Sequence, residues 1–310
     1  MVAVAGELKG RSFTKVADWS RDELERALDL ADTLKREPRQ ELLPGRTLGM
    51  IFQKPSTRTR VSFEVGIYQL GGIALHLAAG DLQLGRGETI RDTAEVLSRY
   101  LDAIMIRTFS QRDVEDLAAH ASIPVINGLT DASHPCQILA DLMTIRERLG
   151  RLAGLRIAYV GDGNNVCASL LVGAATFGMD VVAATPEQYR PDPRAVEIAE
   201  QRAAEAGGSV ELTADVHAAA READVLYTDV WTSMGQEAEY ARRLEALGEY
   251  RIDDALLGEA GTAAIVLHCL PAHYGEEIDE SVVYGPRSAV FDQAENRLHA
   301  QKALMALVIR

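Results

Sequence analysis

The sequence predicts an α/β protein of two domains, each a parallel β-sheet flanked by helices. Two observations predict it. Short apolar, β-rich runs alternate with stretches of helical period, the mark of βαβ units. The series also starts afresh after one long helical stretch, Pro135 to Leu149. At 310 residues the chain can hold two cores of ordinary size. The first domain is therefore assigned to residues 1–149, and the second begins at 150.

The elements follow in order. Ser20 with Glu23 forms a capping box that opens an amphipathic helix through Leu24, Leu28 and Leu34, and Pro38 stops it. Strands are expected at Thr47–Phe52, Ile73–Ala78, Ala103–Ile106 and Pro124–Asn127. Helices are expected at Arg60–Leu70, Ile90–Tyr100 and Asp113–Ala121. The second series of strands is Arg156–Val160, Val181–Thr185, Val210–Thr213, Val225–Thr228 and Ala264–His268. The segment Val166–Pro186 is apolar enough to imitate a membrane span. Gly178 and Asp180 divide it, however, into helix, turn and buried strand. Asn296–Ile309 has helical period and could return to either domain.

The composition, 47% apolar and 25% charged, is that of a folded globular chain. A net charge of -14 argues against nucleic-acid or anionic-membrane partners, which need a basic footprint, so an anionic substrate would need a local basic pocket. Cys136, Cys167 and Cys269 are odd in number and far apart, which suggests neither a disulfide framework nor a zinc site. Met1–Arg11 lacks the pattern of a signal or transit peptide, and a reducing cytoplasm is expected.

In open parallel sheets ligands collect at the carboxyl ends of the strands. After the first strand comes Gln53-Lys54-Pro55-Ser56-Thr57-Arg58-Thr59-Arg60. Hydroxyls, guanidinium groups and free N–H groups at a helix start make an anion cradle suited to phosphate. The same residues would also serve as an N-cap with two solvated arginines. Arg107-Thr108 and His134-Pro135-Cys136-Gln137 follow the third and fourth strands, where a cation and an imidazole could polarise a carbonyl oxygen. A histidine before a helix-opening proline also serves as a cap or as a packed core residue.

In the second domain, Gly161-Asp162-Gly163-Asn164-Asn165 lacks the third glycine of a dinucleotide fingerprint and suits a small polar ligand. Asp229 and Cys269 end neighbouring strands, where an acid and a thiol suit a cationic amine and its deprotonation. Cys269 also reads as a small buried hydrophobe. Cys–His protease chemistry is disfavoured, because strand alternation turns His268 away from Cys269.

In this order and spacing the segments closely resemble the aspartate and ornithine carbamoyltransferase family, over almost the whole chain. Ser-Thr-Arg-Thr-Arg and His-Pro-x-Gln resemble its carbamoyl phosphate half. Asp229 with Ser233-Met234-Gly235, and His268-Cys269-Leu270-Pro271, resemble its ornithine-selective half. The resemblance implies transfer of the carbamoyl group of carbamoyl phosphate to the δ-amine of ornithine, giving citrulline, in arginine metabolism. It implies Ser56, Thr57, Arg58 and Thr59 on the phosphate, and Arg107, His134 and Gln137 on the carbamoyl end. Arg297 would reach the same region from the C-terminal helix, so residues 293–310 are expected to return to the first domain. Gln83 matches a loop lent to a neighbouring subunit, which implies a homotrimer or a multiple of trimers. Asn165, Asp229, Ser233 and Met234 match positions holding the amino-acid end of ornithine, with Cys269 and Leu270 near the reacting amine. Closure of the loop around Ser233-Met234-Gly235 over ornithine is implied as well. Neither cofactor nor metal is expected.

Overall fold

The computed structural model describes residues 6–78, 80, 82, 87–233, 235 and 237–310. The chain divides into two units, residues 1–140 with 296–310, and residues 141–295. Both crossings fall inside helices rather than in linkers. The boundary expected at 149/150 lies at the end of the first of these helices, and the one expected at 292/293 lies near the start of the second.

The first unit opens with α1 (Arg21–Arg36), where the Ser20 side chain accepts from the Glu23 N–H and Glu23 returns the bond to the Ser20 N–H. There follow β1 (Thr47–Phe52), α2 (Thr57–Gln69), β2 (Ile73–Ala78), α3 (Ile90–Leu97), β3 (Ala103–Arg107), α4 (Gln111–His120), β4 (Val125–Leu129) and α5 (Pro135–Leu149). Among the described residues the strands form a parallel sheet in the order β2-β1-β3-β4. Ile51, Ile104, Ile106 and Val125 pack with Val114 and Leu117 of α4 to form one core. Strand β2 is one edge, and Ile73 and Leu75 are 57% and 45% exposed. A sheet flanked by helices buries its inner strands, and among the described residues these two apolar side chains of the edge strand stay exposed.

The second unit continues with β5 (Arg156–Val160), α6 (Asn165–Thr176), β6 (Asp180–Ala184), α7 (Pro193–Ala206), β7 (Ser209–Thr213), α8 (Val216–Ala220), β8 (Val225–Thr228), α9 (Tyr240–Leu247), α10 (Asp254–Glu259), β9 (Ile265–His268), α11 (Glu280–Val283) and α12 (Val290–Val308). Its parallel sheet has the order β7-β6-β5-β8-β9. The apolar segment from Val166 is the buried α6, a turn at Gly178 with φ +70°, and β6. Among the described residues no helix is long and apolar enough to cross a membrane.

In each sheet the chain reverses its direction of progress once, between β1 and β3 and between β5 and β8. At such switch points the loops leaving two adjacent strands diverge and open a crevice. Apart from Arg297 on α12 and Gln83, which lies outside the described residues, the candidate residues sit at the ends of these four strands or after them and their neighbours β4 and β9.

Helix α12 begins at Val290, earlier than the expected Asn296. Gln293 is fully buried in its first turn, so a polar residue interrupts the apolar period at an inward position. Past Asn296 the helix is tied to the rest of the first unit. Lys302 Nζ, on a fully buried residue, donates to the Leu34 carbonyl at 2.8 Å, the Pro38 carbonyl at 3.0 Å and Gln69 Oε1 at 2.9 Å.

Candidate active site

In the first unit the sequence-nominated residues converge on the Thr59 hydroxyl. Ser56 caps α2: its Oγ accepts from the Thr59 N–H at 3.2 Å, and its own hydroxyl donates to Thr59 Oγ1 at 3.1 Å. Arg107, at the end of β3, donates to Thr59 Oγ1 at 3.4 Å, and Arg297 from α12 donates to the same oxygen at 3.2 Å. Arg297 also donates to Gln137 Oε1 at 2.7 Å. Thr57 is exposed and Arg58 half-buried at the start of α2. A cavity of about 380 Å³ opens beside them, lined by Ser56, Thr57, Arg60, Gln53, Phe52 and His76. Gln83 lies outside the described residues.

His134 is 4% exposed and precedes the first turn of α5. Burial holds its imidazole well below the usual histidine range, and Arg297, Arg107 and Arg58 push it the same way. A neutral ring therefore stands among three cations. Such a set can bind an anion and offer hydrogen bonds to an oxygen that gains negative charge.

Lys54, two residues before Ser56 in the same segment, was given no role of its own in the sequence. It is 3% exposed, lies 4.3 Å over the Phe109 ring and pairs with Asp131. With Gln53, whose Oε1 accepts from the Thr108 hydroxyl at 2.5 Å, it knits together the loops leaving β1, β3 and β4.

In the second unit Asp229, at the end of β8, is 5% exposed. Cys269, after the neighbouring β9, donates its thiol proton to Asp229 Oδ1 at 2.9 Å, and the Asn164 amide donates to Oδ2 at 2.8 Å. It is Asn164, rather than the nominated Asn165, that makes this contact. Asn164 is the N-cap of α6, and Asn165 lies in its first turn. The N-cap preference for asparagine was the signal that could have found it. Ser233 is half-buried, and Met234 lies outside the described residues.

His268 engages both ring nitrogens with groups other than the Cys269 thiol. Its Nδ1 accepts from the Leu270 N–H at 2.8 Å, so the proton sits on Nε2, which donates to Glu277 Oε1 at 3.0 Å. Leu270 is held there with φ +59°. Asp229, His268 and Cys269 each place one potential ligand atom within 4.8 Å of the others. With both ring nitrogens engaged, His268 is not available to a metal. Cys136 is buried, and burial pushes its thiol up to about 12, which leaves it protonated and inert.

Two family models cover most of the chain. One, described as the carbamoyl-P binding domain of aspartate/ornithine carbamoyltransferase, matches residues 11–147. The other, the Asp/Orn binding domain of the same enzymes, matches residues 153–308. An ornithine carbamoyltransferase of Symbiobacterium thermophilum is 60% identical over 97% of this chain and 99% of its own length. One of Oceanobacillus iheyensis is 56% identical over 98% and 95%. The solved structure of the Pyrococcus furiosus ornithine carbamoyltransferase is 54% identical, with a TM-score of 0.95 over 97% of this chain and 98% of that one.

Proposed function

This chain belongs to the aspartate/ornithine carbamoyltransferase family, and from that premise we propose that it transfers the carbamoyl group of carbamoyl phosphate to the δ-amine of L-ornithine. The products are L-citrulline and phosphate, and the reaction belongs to arginine metabolism. The observation that carries the choice of acceptor is the buried Asp229 carboxylate bonded by Cys269 and Asn164. A buried anion beside a thiol suits a diamino acid and has no role for the dicarboxylic acceptor of the aspartate branch.

Ser56, Thr57, Arg58 and Thr59 hold the phosphate, with Gln83 of a neighbouring subunit. Arg107, His134, Gln137 and Arg297 hold the carbamoyl end. Asn165, Asp229, Ser233 and Met234 hold the amino-acid end of ornithine, and Cys269 with Leu270 flanks the reacting amine. An aliphatic amine titrates near ~10, and only its neutral form attacks a carbonyl, so the site must favour the free amine. Asp229 and Cys269 orient it and help remove its proton. As nitrogen bonds to the carbamoyl carbon, Arg107, neutral His134 and Thr59 stabilise the oxyanion. The C–O bond to phosphate then breaks, and phosphate departs into the cradle, where it can itself take up the amine proton.

Exposed Val61, Val65 and Tyr68 on α2, beside Ile73 and Leu75 of β2, support a homotrimer in which this apolar face is covered. The setting is cytoplasmic. The deciding experiment is citrulline formation from carbamoyl phosphate with ornithine, run beside aspartate, putrescine and acetylornithine. Turnover confined to ornithine is expected. Carbamoylation of another acceptor alone would overturn the reading of Asp229–Gly235. Silence with all four acceptors would favour a phosphometabolite sensor.

A further inference from the structure

Polar side chains tie the turn after β5 to the segment after β8. Asn164 to Asp229 is one such joint. Another is made by Arg243 of α9, 6% exposed, which takes no part in the chemistry above. Its Nη1 donates to Asp162 Oδ2 at 2.7 Å and to the Trp231 carbonyl at 2.9 Å. Its Nε donates to Glu239 Oε2 at 3.1 Å, and its guanidinium carbon lies 4.7 Å from the Tyr189 ring centroid. One side chain thus gathers the turn after β5, the segment after β8 and the stretch around Tyr189.

Both partners in this joint are held on their far sides. The Asp162 carbonyl accepts from the Tyr159 hydroxyl at 2.8 Å. The next residue, Gly163, donates its N–H to the Tyr189 carbonyl at 2.8 Å, and a Cβ there would stand 2.2 Å from the Pro191 nitrogen. Trp231 is 2% exposed, with its ring against Gly161. A buried ion pair is a poor source of stability compared with apolar packing, whereas a guanidinium forked between a carboxylate and a carbonyl fixes geometry well.

We propose that Arg243 is a positioning residue for the amino-acid substrate: through Asp162 and the Trp231 carbonyl it sets the path of residues 229–233, and with it the Asp229 carboxylate and Ser233. This rests on the functional reading above. The joint also carries an acid sensitivity. Burial raises the Asp162 carboxyl to about 6 against the pull of Arg243, and Asp229 and Glu239 raise it further. Tyr159 of β5 and Cys167 of α6 are the other titratable groups facing it. Asp162 is ionised and paired at pH 8, and the pair is lost as pH falls through about 6.

The test compares wild type with R243M, R243K and D162N, titrating each substrate against saturating amounts of the other. Wild-type turnover is measured first. Failure with ornithine there would strike the functional reading alone, and the acceptor that wild type does use is then titrated instead. R243M is expected to raise the acceptor KM about ten-fold or more while the carbamoyl phosphate KM moves less than about two-fold, and R243K recovers part of the loss. Below pH 6 the wild-type rate should fall more steeply than the substrate amine alone dictates, and D162N should abolish the extra steepness. An unchanged acceptor KM in folded R243M, or equal rises in both KM values, overturns the proposal. If R243M does not fold, D162N decides by the same criterion at pH 8.

Discussion

Asp229→Asn separates the charge of this residue from its shape. The wild-type carboxylate is 5% exposed and accepts from Asn164 at 2.8 Å and from Cys269 at 2.9 Å. Asparagine keeps the outline and one acceptor but turns an N–H₂ toward a donor. That mismatch exists with or without substrate, so it costs stability rather than rate, and it is partly offset because Asp229 no longer repels Asp162. The rate loss comes from the missing charge. A hydrogen bond to a charged group contributes about 1.5–3 kcal/mol, so kcat/KM for ornithine should fall about 10- to 150-fold. The carbamoyl phosphate KM should stay within about two-fold, because Thr59, Arg107, His134, Gln137 and Arg297 are untouched. Initial rates of citrulline formation, with each substrate varied in turn, measure both quantities, and a thermal melt checks the fold. A fall of less than about three-fold for ornithine, or a matching rise for carbamoyl phosphate, would refute the reasoning.

Arg297→Met should raise the carbamoyl phosphate KM about ten-fold or more and leave ornithine use intact. It also removes a cation facing His134, so the imidazole should titrate higher than in wild type, as followed by NMR of the ring protons. For Cys269→Ser the readout is rate against pH. An unchanged profile with a raised ornithine KM assigns the thiol to positioning, and loss of a pH limb assigns it to proton transfer. Lys302→Met leaves three acceptors unserved and should lower the melting temperature by about 3–10 °C. Burial lowers the folded Lys302 from 10.5 to about 8, so between these values the unfolded chain binds more protons and wild-type stability gains with rising pH. The methionine variant should lose that gain.

What could be read from the sequence, and what could not, follows from the range of the interactions. Strands β1, β2, β5 and β8 stood out because β-rich apolar runs of four to six residues end at polar turns. Ser56 and Thr59 were legible because helix capping is local. The first turn of α12 was not, because Gln293 is buried for a partner far away in sequence, Asp141 Oδ1 at 2.7 Å. The exposure of β2 was hidden for the same reason, since which strand becomes an edge is settled by topology. Arg243 gave one local hint. It lies one helical turn before the buried Leu247, on the inward face of α9, beside an Arg242 that faces out.

The first unit is built from two stretches of chain separated by the whole of the second. On the ribosome, residues 141–295 are all in hand before residue 296 is made, so the amino-acid half can gather its core while the phosphate half still lacks Arg297 and Lys302. A nascent or prematurely terminated chain ending near 295 would carry Asp229 and Cys269 while Thr59 keeps Arg107 but lacks Arg297. The last part of the phosphate half to be made is therefore the end of α12, which carries Arg297 and Lys302.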